Sequence, residues 1–378
     1  MSARGFAQAE YEARLTRAQA LMSKAGLGGL LLTTEPEIRY FTGFLTRFWE
    51  SPSRPWFLIV PAAGDPVAVI PSIGAALMGR TWITDIRTWP APRPGDDGVS
   101  LLAATLDEVA EGPVGIPSGP ETHLRMPQAD FARLRAKTAR FLRDDAGITA
   151  RLRAVKSGAE IDRIAHACRI AARAFARVPE IAAPGMPLSQ VFRRFQMLLL
   201  EEGADWVPYL AGGAGPLGYA DVISPADDRP LARGDVLMLD TGALWDGYFC
   251  DYDRNFAMGT PDPRVLSAHD RLLGAAQAGL EAAQPGARAC DVHAAMARIC
   301  GADEGAGRLG HGLGMQLTEG LSLTAADRTV LEPGMVITLE PGVETGGGNI
   351  LVHEENVVIR QGGAQILSPW ADTLARLA

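Results

Sequence analysis

The chain has 378 residues, 47% of them apolar and 21% charged, an ordinary globular mixture long enough for two domains of roughly 100–200 residues each. A formal net charge of −8 argues against a nucleic-acid partner, which calls for basic patches, and gives no signature of an anionic membrane surface. No apolar run approaches the ~18 residues of a membrane span, and the polar start MSARGFAQAEYEARLTRAQ has no secretion-type apolar core, so a cytoplasmic protein is expected. The four cysteines, Cys168, Cys250, Cys290 and Cys300, form no C-x-x-C pair and read as reduced, buried thiols.

In chain order, residues 8–26 predict an amphipathic helix with Leu15, Ala18, Leu21 and Met22 on one face and Gly26 as its C-cap. GGLLLTT reads as a buried strand and PEIRYFTGF as a short helix with a turn. WFLIVPAAGDPVAVIP reads as a β-hairpin. Helix and strand then alternate to about residue 148, which makes residues 1–150 a small α/β domain. Ser157 and Glu160 have the spacing of a capping box and start a new helix, so a second domain is expected over 151–378. It opens with helices, including one from Leu188 to Glu202. It turns β-rich after Gly234 (DVLMLDTGAL, YFCDYDRNFAMG), helical again, and ends on MVITLEPGVE and ILVHEENVVI, a pair flanking the hairpin turn ETGGGN.

Gly213-Ala-Gly215-Pro-Leu-Gly218 matches G-x-G-x-x-G. It follows no βα start, contains Pro216 and opens no helix, so it predicts a substrate-site loop rather than a dinucleotide site.

The chemistry concentrates in five residues of the second domain: Asp240, Asp251, His311, Glu340 and Glu354. Asp240, Glu340 and Glu354 each follow an apolar run, so each is expected at the end of a buried strand. A carboxylate there is unfavourable unless paired or metal-bound. If DVLMLD and YFCDYD are adjacent antiparallel strands, Asp240 and Asp251 can share a face. Four carboxylates and one imidazole are a hard ligand set for one or two divalent cations of the Mn, Fe, Co or Zn kind. Glycines surround His311 in Gly310-His311-Gly312-Leu313-Gly314 and allow close backbone approach there.

With Asp240-Thr-Gly, Asp251-x-x-Arg254, Gly310-His311-Gly-x-Gly, Leu339-Glu340-Pro-Gly342 and Glu354-Glu355-x-Val in view, the second domain resembles the pita-bread metallopeptidases: methionine aminopeptidase, aminopeptidase P, prolidase and creatinase-like relatives. The first domain and the RLRAVKSGAEID connector resemble the creatinase/prolidase N-terminal domain. The resemblance implies an α+β fold: a C-terminal pita-bread domain preceded by a smaller α/β creatinase-type domain. It implies two divalent cations, one on Asp240 and Asp251, the other on Asp251, His311, Glu340 and Glu354. Asp251 and Glu354 would bridge them, and Glu340 would accept the proton of an activated water. The activity implied is hydrolysis of Xaa-Pro bonds in short peptides.

Three positions depart from the proline-specific pattern: Ile223 and Thr318 where such members carry histidines, and Val352 where an arginine is common. Tyr219, Thr318 or His353 are the available substitutes, although His353 adjoins Glu354 and is expected to face the other way. The departures open an alternative within the family: a C–N hydrolase of creatinase or ectoine-hydrolase kind, or a sulfonium-acid lyase, acting on a small zwitterion. A binding module without activity is a third class, disfavoured by the complete ligand set. The loop RFWESPSRPWF brings substrate-binding candidates Arg47, Trp49, Arg54 and Trp56, for a carboxylate or a quaternary group. The resemblance to creatinase-like dimers places that loop at a partner subunit's pocket and implies a homodimer.

Overall fold

The computed structural model describes residues 4–51, 55–301 and 307–377. They form two compact units, 1–152 and 153–378.

In the first unit, helix α1 (Gln8–Ala25) buries Tyr11, Leu15, Ala18 and Met22, and stops at Gly26, whose positive φ lets its N–H reach the Met22 carbonyl. Strand β1 (Gly29–Leu32) and helix α2 (Glu35–Thr42) follow, with Pro36 in the first turn of α2. Next come β2 (Phe57–Pro61), β3 (Val67–Pro71), α3 (Ala75–Met78), β4 (Asp85–Trp89), α4 (Val99–Val109), β5 (Val114–Ile116), α5 (Gln128–Lys137) and β6 (Leu142–Asp144). Among the described residues the strands make one sheet in the order β4-β3-β2-β1-β5-β6. The β2–β3 hairpin is antiparallel, as predicted, and α4 packs on the sheet over Leu31, Ile59, Val69 and Val114.

The aromatic loop belongs to this unit's interior. Trp56 is 2% exposed and Trp49 8%, with ring centroids 5.8 Å apart, and Phe44 lies 5.3 Å from Trp56. Arg125 sits over the Trp49 ring and donates to the Trp49 and Ser51 carbonyls. Within this chain the two tryptophans are therefore core residues, because their large apolar area finds cover beside Gly74 and Phe44. Arg47 is half exposed and pairs with Glu50. Arg54 lies outside the described residues.

Helix α6 (Ile148–Ala154) leads into the second unit. Helix α7 (Gly158–Ala176) starts on the predicted capping box: Glu160 N–H donates to Ser157 Oγ, and Ser157 N–H to the Glu160 carboxylate. After α8 (Leu188–Glu201) come β7 (Trp206–Gly215), β8 (Val236–Trp245), β9 (Tyr248–Phe249), β10 (Tyr252–Met258), α9 (Pro263–Ala282) and α10 (Ala289–Cys300). The chain closes with β11 (Val336–Leu339), β12 (Gly342–Gly346), β13 (Asn349–Val352), β14 (Glu355–Arg360), β15 (Gly363–Ile366) and β16 (Ala375–Leu377). Among the described residues the sheets are β16-β10-β8-β7 with β9 beside β8, β11-β14-β15, and the β12–β13 hairpin. A core of Val236, Met238, Leu272, Met296, Ile337 and Leu351, among others, joins α9 and α10 to these sheets.

Two local expectations change. The glycine-rich motif is not wholly a loop: Gly213 to Gly215 end β7, paired with Val236–Met238 of β8. A Cβ on Gly212 would collide with the Met238 carbonyl, so the glycines serve strand-to-strand approach. Asp240 does not end its strand but lies within β8, where its opposite number is Asp253 of β10. Asp251 falls in the gap between β9 and β10.

Candidate metal centre

The second unit brings Asp251, His311 and Glu354 within ligand reach of one another, and sets Asp240 and Glu340 near enough for their charges to act on that group. Asp240 is presented by the fully buried strand β8. Its Oδ2 accepts the Tyr209 hydroxyl at 3.1 Å, from the neighbouring strand β7. Asp251 has left the ladder, and the Asn356 side chain replaces it. Asn356 Oδ1 accepts the Asp251 N–H at 3.0 Å, and Asn356 Nδ2 donates to the Asp251 carbonyl. Cys168 Sγ, 3.2 Å from the same Oδ1, closes this buried knot.

His311 is fixed by its backbone and by its ring. Its carbonyl accepts Thr338 N–H at 2.7 Å and its N–H donates to Thr338 Oγ1 at 3.1 Å. A side chain on Gly310 would strike the Thr338 carbonyl, so glycine is what allows this loop to lie against β11. The ring's Nδ1 is 3.0 Å from the Gly312 carbonyl. That assigns the proton to Nδ1 and leaves the Nε2 lone pair facing Asp251 Oδ2 at 3.4 Å. Glu340 follows β11 and Glu354 lies between β13 and β14.

Ligand atoms of Asp251, His311 and Glu354 lie within 4.8 Å of one another, all three residues buried. Asp240 Oδ1, Asp251 Oδ1 and Glu354 Oε1 are buried and accept no hydrogen bond from any described residue. Burial pushes the Asp240, Asp251 and Glu354 carboxyls well above the ordinary carboxylate range, and repulsion from Asp251 on Asp240 and Glu354, and from Glu340 on Asp251, pushes the same way. Glu340 is raised too, by burial and then by the Asp240 charge, with His311 and Arg308 opposing. Buried acids with bare oxygens that repel one another are unfavourable unless a cation binds them. The donor set of carboxylates and one imidazole suits a hard or borderline divalent ion, so the residues fit the metal that the sequence implied.

The other sequence-predicted residues are placed less centrally. Thr318 is half buried, its hydroxyl 3.3 Å from Arg308 Nη2. Tyr219 is buried, and its hydroxyl accepts the Val352 N–H at 2.6 Å and lies 3.2 Å from Asn255 Oδ1, an engagement that pins β13. Arg47, Trp49 and Trp56 belong to the first unit. His353 is buried with Nε2 3.2 Å from Glu355 Oε1.

Sequence reasoning missed Tyr209, Asp253, Asn356 and Glu319. Asp253 and Asn356 each lie two residues beyond a predicted ligand, a period-2 relation that could have flagged them. Tyr209 lay in an unrecognised strand. Glu319 is buried against Arg153 and Lys156 and accepts the Met315 and Gln316 N–H groups, which fixes the loop after His311. The four cysteines are free and buried, and no helix among the described residues is long and apolar enough to cross a membrane.

Comparison with known proteins places this geometry. The model of metallopeptidase family M24 matches residues 162–361, and that of the creatinase/prolidase N-terminal domain matches residues 14–155. A protein of Mycobacterium tuberculosis named probable dipeptidase PepE is 32% identical, over 96% of each chain. The Xaa-Pro dipeptidase of Pyrococcus furiosus is 32% identical over 57% of this chain and 64% of its own. The crystal structure of dipeptidase PepE from Mycobacterium ulcerans superposes with a TM-score of 0.85 at 29% identity, covering 98% of this chain and 99% of that one. Solved prolidases and an aminopeptidase P share the fold, which is a creatinase-type N-terminal domain followed in the chain by an α+β pita-bread domain. On the strength of both domains and of the residues gathered in the second, the chain belongs to metallopeptidase family M24.

Proposed function

We propose that this protein is a metal-dependent peptidase that cleaves Xaa-Pro bonds in short peptides. The observation that carries the reading is the cluster of bare, buried carboxylate oxygens around His311. The full-length relatives named as dipeptidases support it. Two divalent cations of the Mn, Fe, Co or Zn kind are the cofactors this reading requires. Asp240 and Asp251 would hold one, and Asp251, His311, Glu340 and Glu354 the other. Bound there, such cations supply Lewis acidity toward a peptide carbonyl and make water a nucleophile near neutral pH.

The chain's own part is positional and protonic. Asn356 and Tyr209 orient Asp251 and Asp240 before any substrate arrives. The Gly312 carbonyl holds the His311 proton on Nδ1 and keeps Nε2 available. Glu340 is less buried than Asp251 and Glu354, which suits a group that takes a proton from water and returns it to the departing amine. Arg308 lowers the proton affinity of both Asp251 and Glu340 from the edge of the site.

Ile223, Thr318 and Val352 supply neither imidazole nor guanidinium, which favours a second reading, a family member acting on a small zwitterion. The resemblance to creatinase-like dimers supports a homodimer, and the four free, buried thiols support a reducing, cytoplasmic setting.

The test is elemental analysis of gently purified protein together with assays on an Xaa-Pro dipeptide and tripeptide before and after chelation. About two metal equivalents with chelator-sensitive cleavage is the expected result. Bound metal with neither peptide cleaved selects the zwitterion reading. No metal uptake at all ends both.

A further inference from the structure

The five predicted ligands do not exhaust the charge around this centre. Asp253 is 1% exposed and sits on β10 directly opposite Asp240 on β8. Residues so opposed project from one face with Cβ atoms about 4.5–5.5 Å apart, and like charges in that relation repel. Asp253 Oδ1 accepts the Glu354 N–H at 3.1 Å. Asp253 Oδ2 is buried and takes no hydrogen bond from any described residue. His353 Nδ1 lies 3.9 Å from Oδ1, but that ring stands closer to Glu355, which Arg254 already pairs at 3.1 Å.

A neutral Asn or Thr could accept the Glu354 N–H equally well. The second, bare oxygen of the Asp253 carboxyl therefore does something the hydrogen bond alone does not need, and it is set where packing alone would disfavour it. We propose that Asp253 is a charge-bearing positioning residue of the metal centre. Through Oδ1 it fixes the peptide of Glu354, and its charge beside Asp240 tightens the hold of Asp240 and Glu354 on a divalent cation. It acts through those two ligands and not by contact with the ion. The inference rests on the metal-centre reading above.

The experiment compares chelator-stripped wild type, Asp253→Asn and Asp253→Thr. Each is titrated with Mn²⁺ in competition with a fluorescent chelator, and each is melted with and without Mn²⁺. Both variants keep an acceptor for the Glu354 N–H and lose the charge. The expected result is Mn²⁺ affinity lower by about 10–100-fold, the usual effect of a group just behind the ligands, with the metal-free melting temperature unchanged or higher. A residue with a merely structural role would lower the metal-free melting temperature instead. Mn²⁺ affinity within about twofold of wild type in whichever variant folds overturns the proposal. Metal-free melting that falls in step with affinity, or failure of both variants to fold, also overturns it. If wild type itself takes up no Mn²⁺, the metal-centre reading fails first, and that result is separate from a wild type that binds while the variants bind equally well.

Discussion

Glu319 offers the sharpest test of how the loop after His311 is held. Its carboxylate is buried between Arg153 and Lys156, with Lys156 Nζ at 3.2 Å, and also accepts the Met315 and Gln316 N–H groups at 3.0 and 3.2 Å. Burial alone would raise its pKa. The two cations and their hydrogen bonds overcome that and hold it down at about 2, against an ordinary 4.5. A pKa lower in the folded than in the unfolded state stabilises the fold. The contribution is complete above the unfolded value and disappears as pH falls toward the folded one. At 1.36 kcal/mol per unit, the gap corresponds to ~3 kcal/mol near neutral pH, at the lower edge of what breaking a buried ion pair typically costs.

Glu319→Gln keeps the shape and one acceptor but removes the charge. The variant should be ~3 kcal/mol less stable near pH 7, with the difference falling to about half near pH 3. Urea unfolding of both proteins in the presence of chelator, repeated across that pH range, measures the difference. The unpaired acids of the metal centre are common to both and cancel. Hydrogen exchange of the Met315 and Gln316 amides should speed up in the variant. A difference below about 1 kcal/mol near pH 7, or one that does not change with pH, would refute the assignment of this triad as a net stabilising ion pair.

Three further outcomes follow from the site. The raised pKa values of Asp240, Asp251 and Glu354 mean that the metal-free fold binds extra protons. Its stability should therefore decline as pH rises above the unfolded carboxylate range of about 4. Melting temperatures with chelator should show that slope and saturating Mn²⁺ should flatten it; parallel slopes would count against a shared cation site. Tyr209→Phe removes the hydroxyl from Asp240 Oδ2, and Mn²⁺ titration should show affinity reduced by about tenfold or more with little change in metal-free melting. Asn356→Ala leaves the buried Asp251 N–H without its acceptor and should destabilise the fold by about 1–3 kcal/mol in urea. It should also weaken Mn²⁺ uptake, whereas unchanged uptake would show that Asp251 is positioned without it.

Much of the second unit was legible because its strands carry near-continuous apolar runs and its hairpin turn is a glycine cluster. The same runs ended on acids, and acids after buried runs are informative because burying them bare is unfavourable. Strand β7 was not legible: WVPYLAGGAG mixes proline and glycine and alternates weakly, and its identity depends on pairing with β8. The pairing also explains Asp251. YFCDYD reads as one strand, yet at Asp251 the ladder is interrupted and a side chain remote in sequence, Asn356, takes its backbone groups. No local pattern announces such a substitution. The tryptophans of the RFWESPSRPWF loop read as substrate-binding candidates, but their rings are buried against Phe44 and Gly74, neighbours that the loop's own sequence does not announce.

The orphaned oxygens of Asp240, Asp251 and Glu354 also bear on how the protein matures. A chain that folds before meeting its ions must assemble these like-charged groups against their repulsion, or hold them protonated. Ions that bind the finished fold and not the open chain then add RT ln(1 + [ion]/Kd) to its stability. Ions bound there would thus tie the abundance of the folded protein to ion supply. Under scarcity the shortfall would appear first as less protein surviving quality control, and only second as a full complement of idle enzyme.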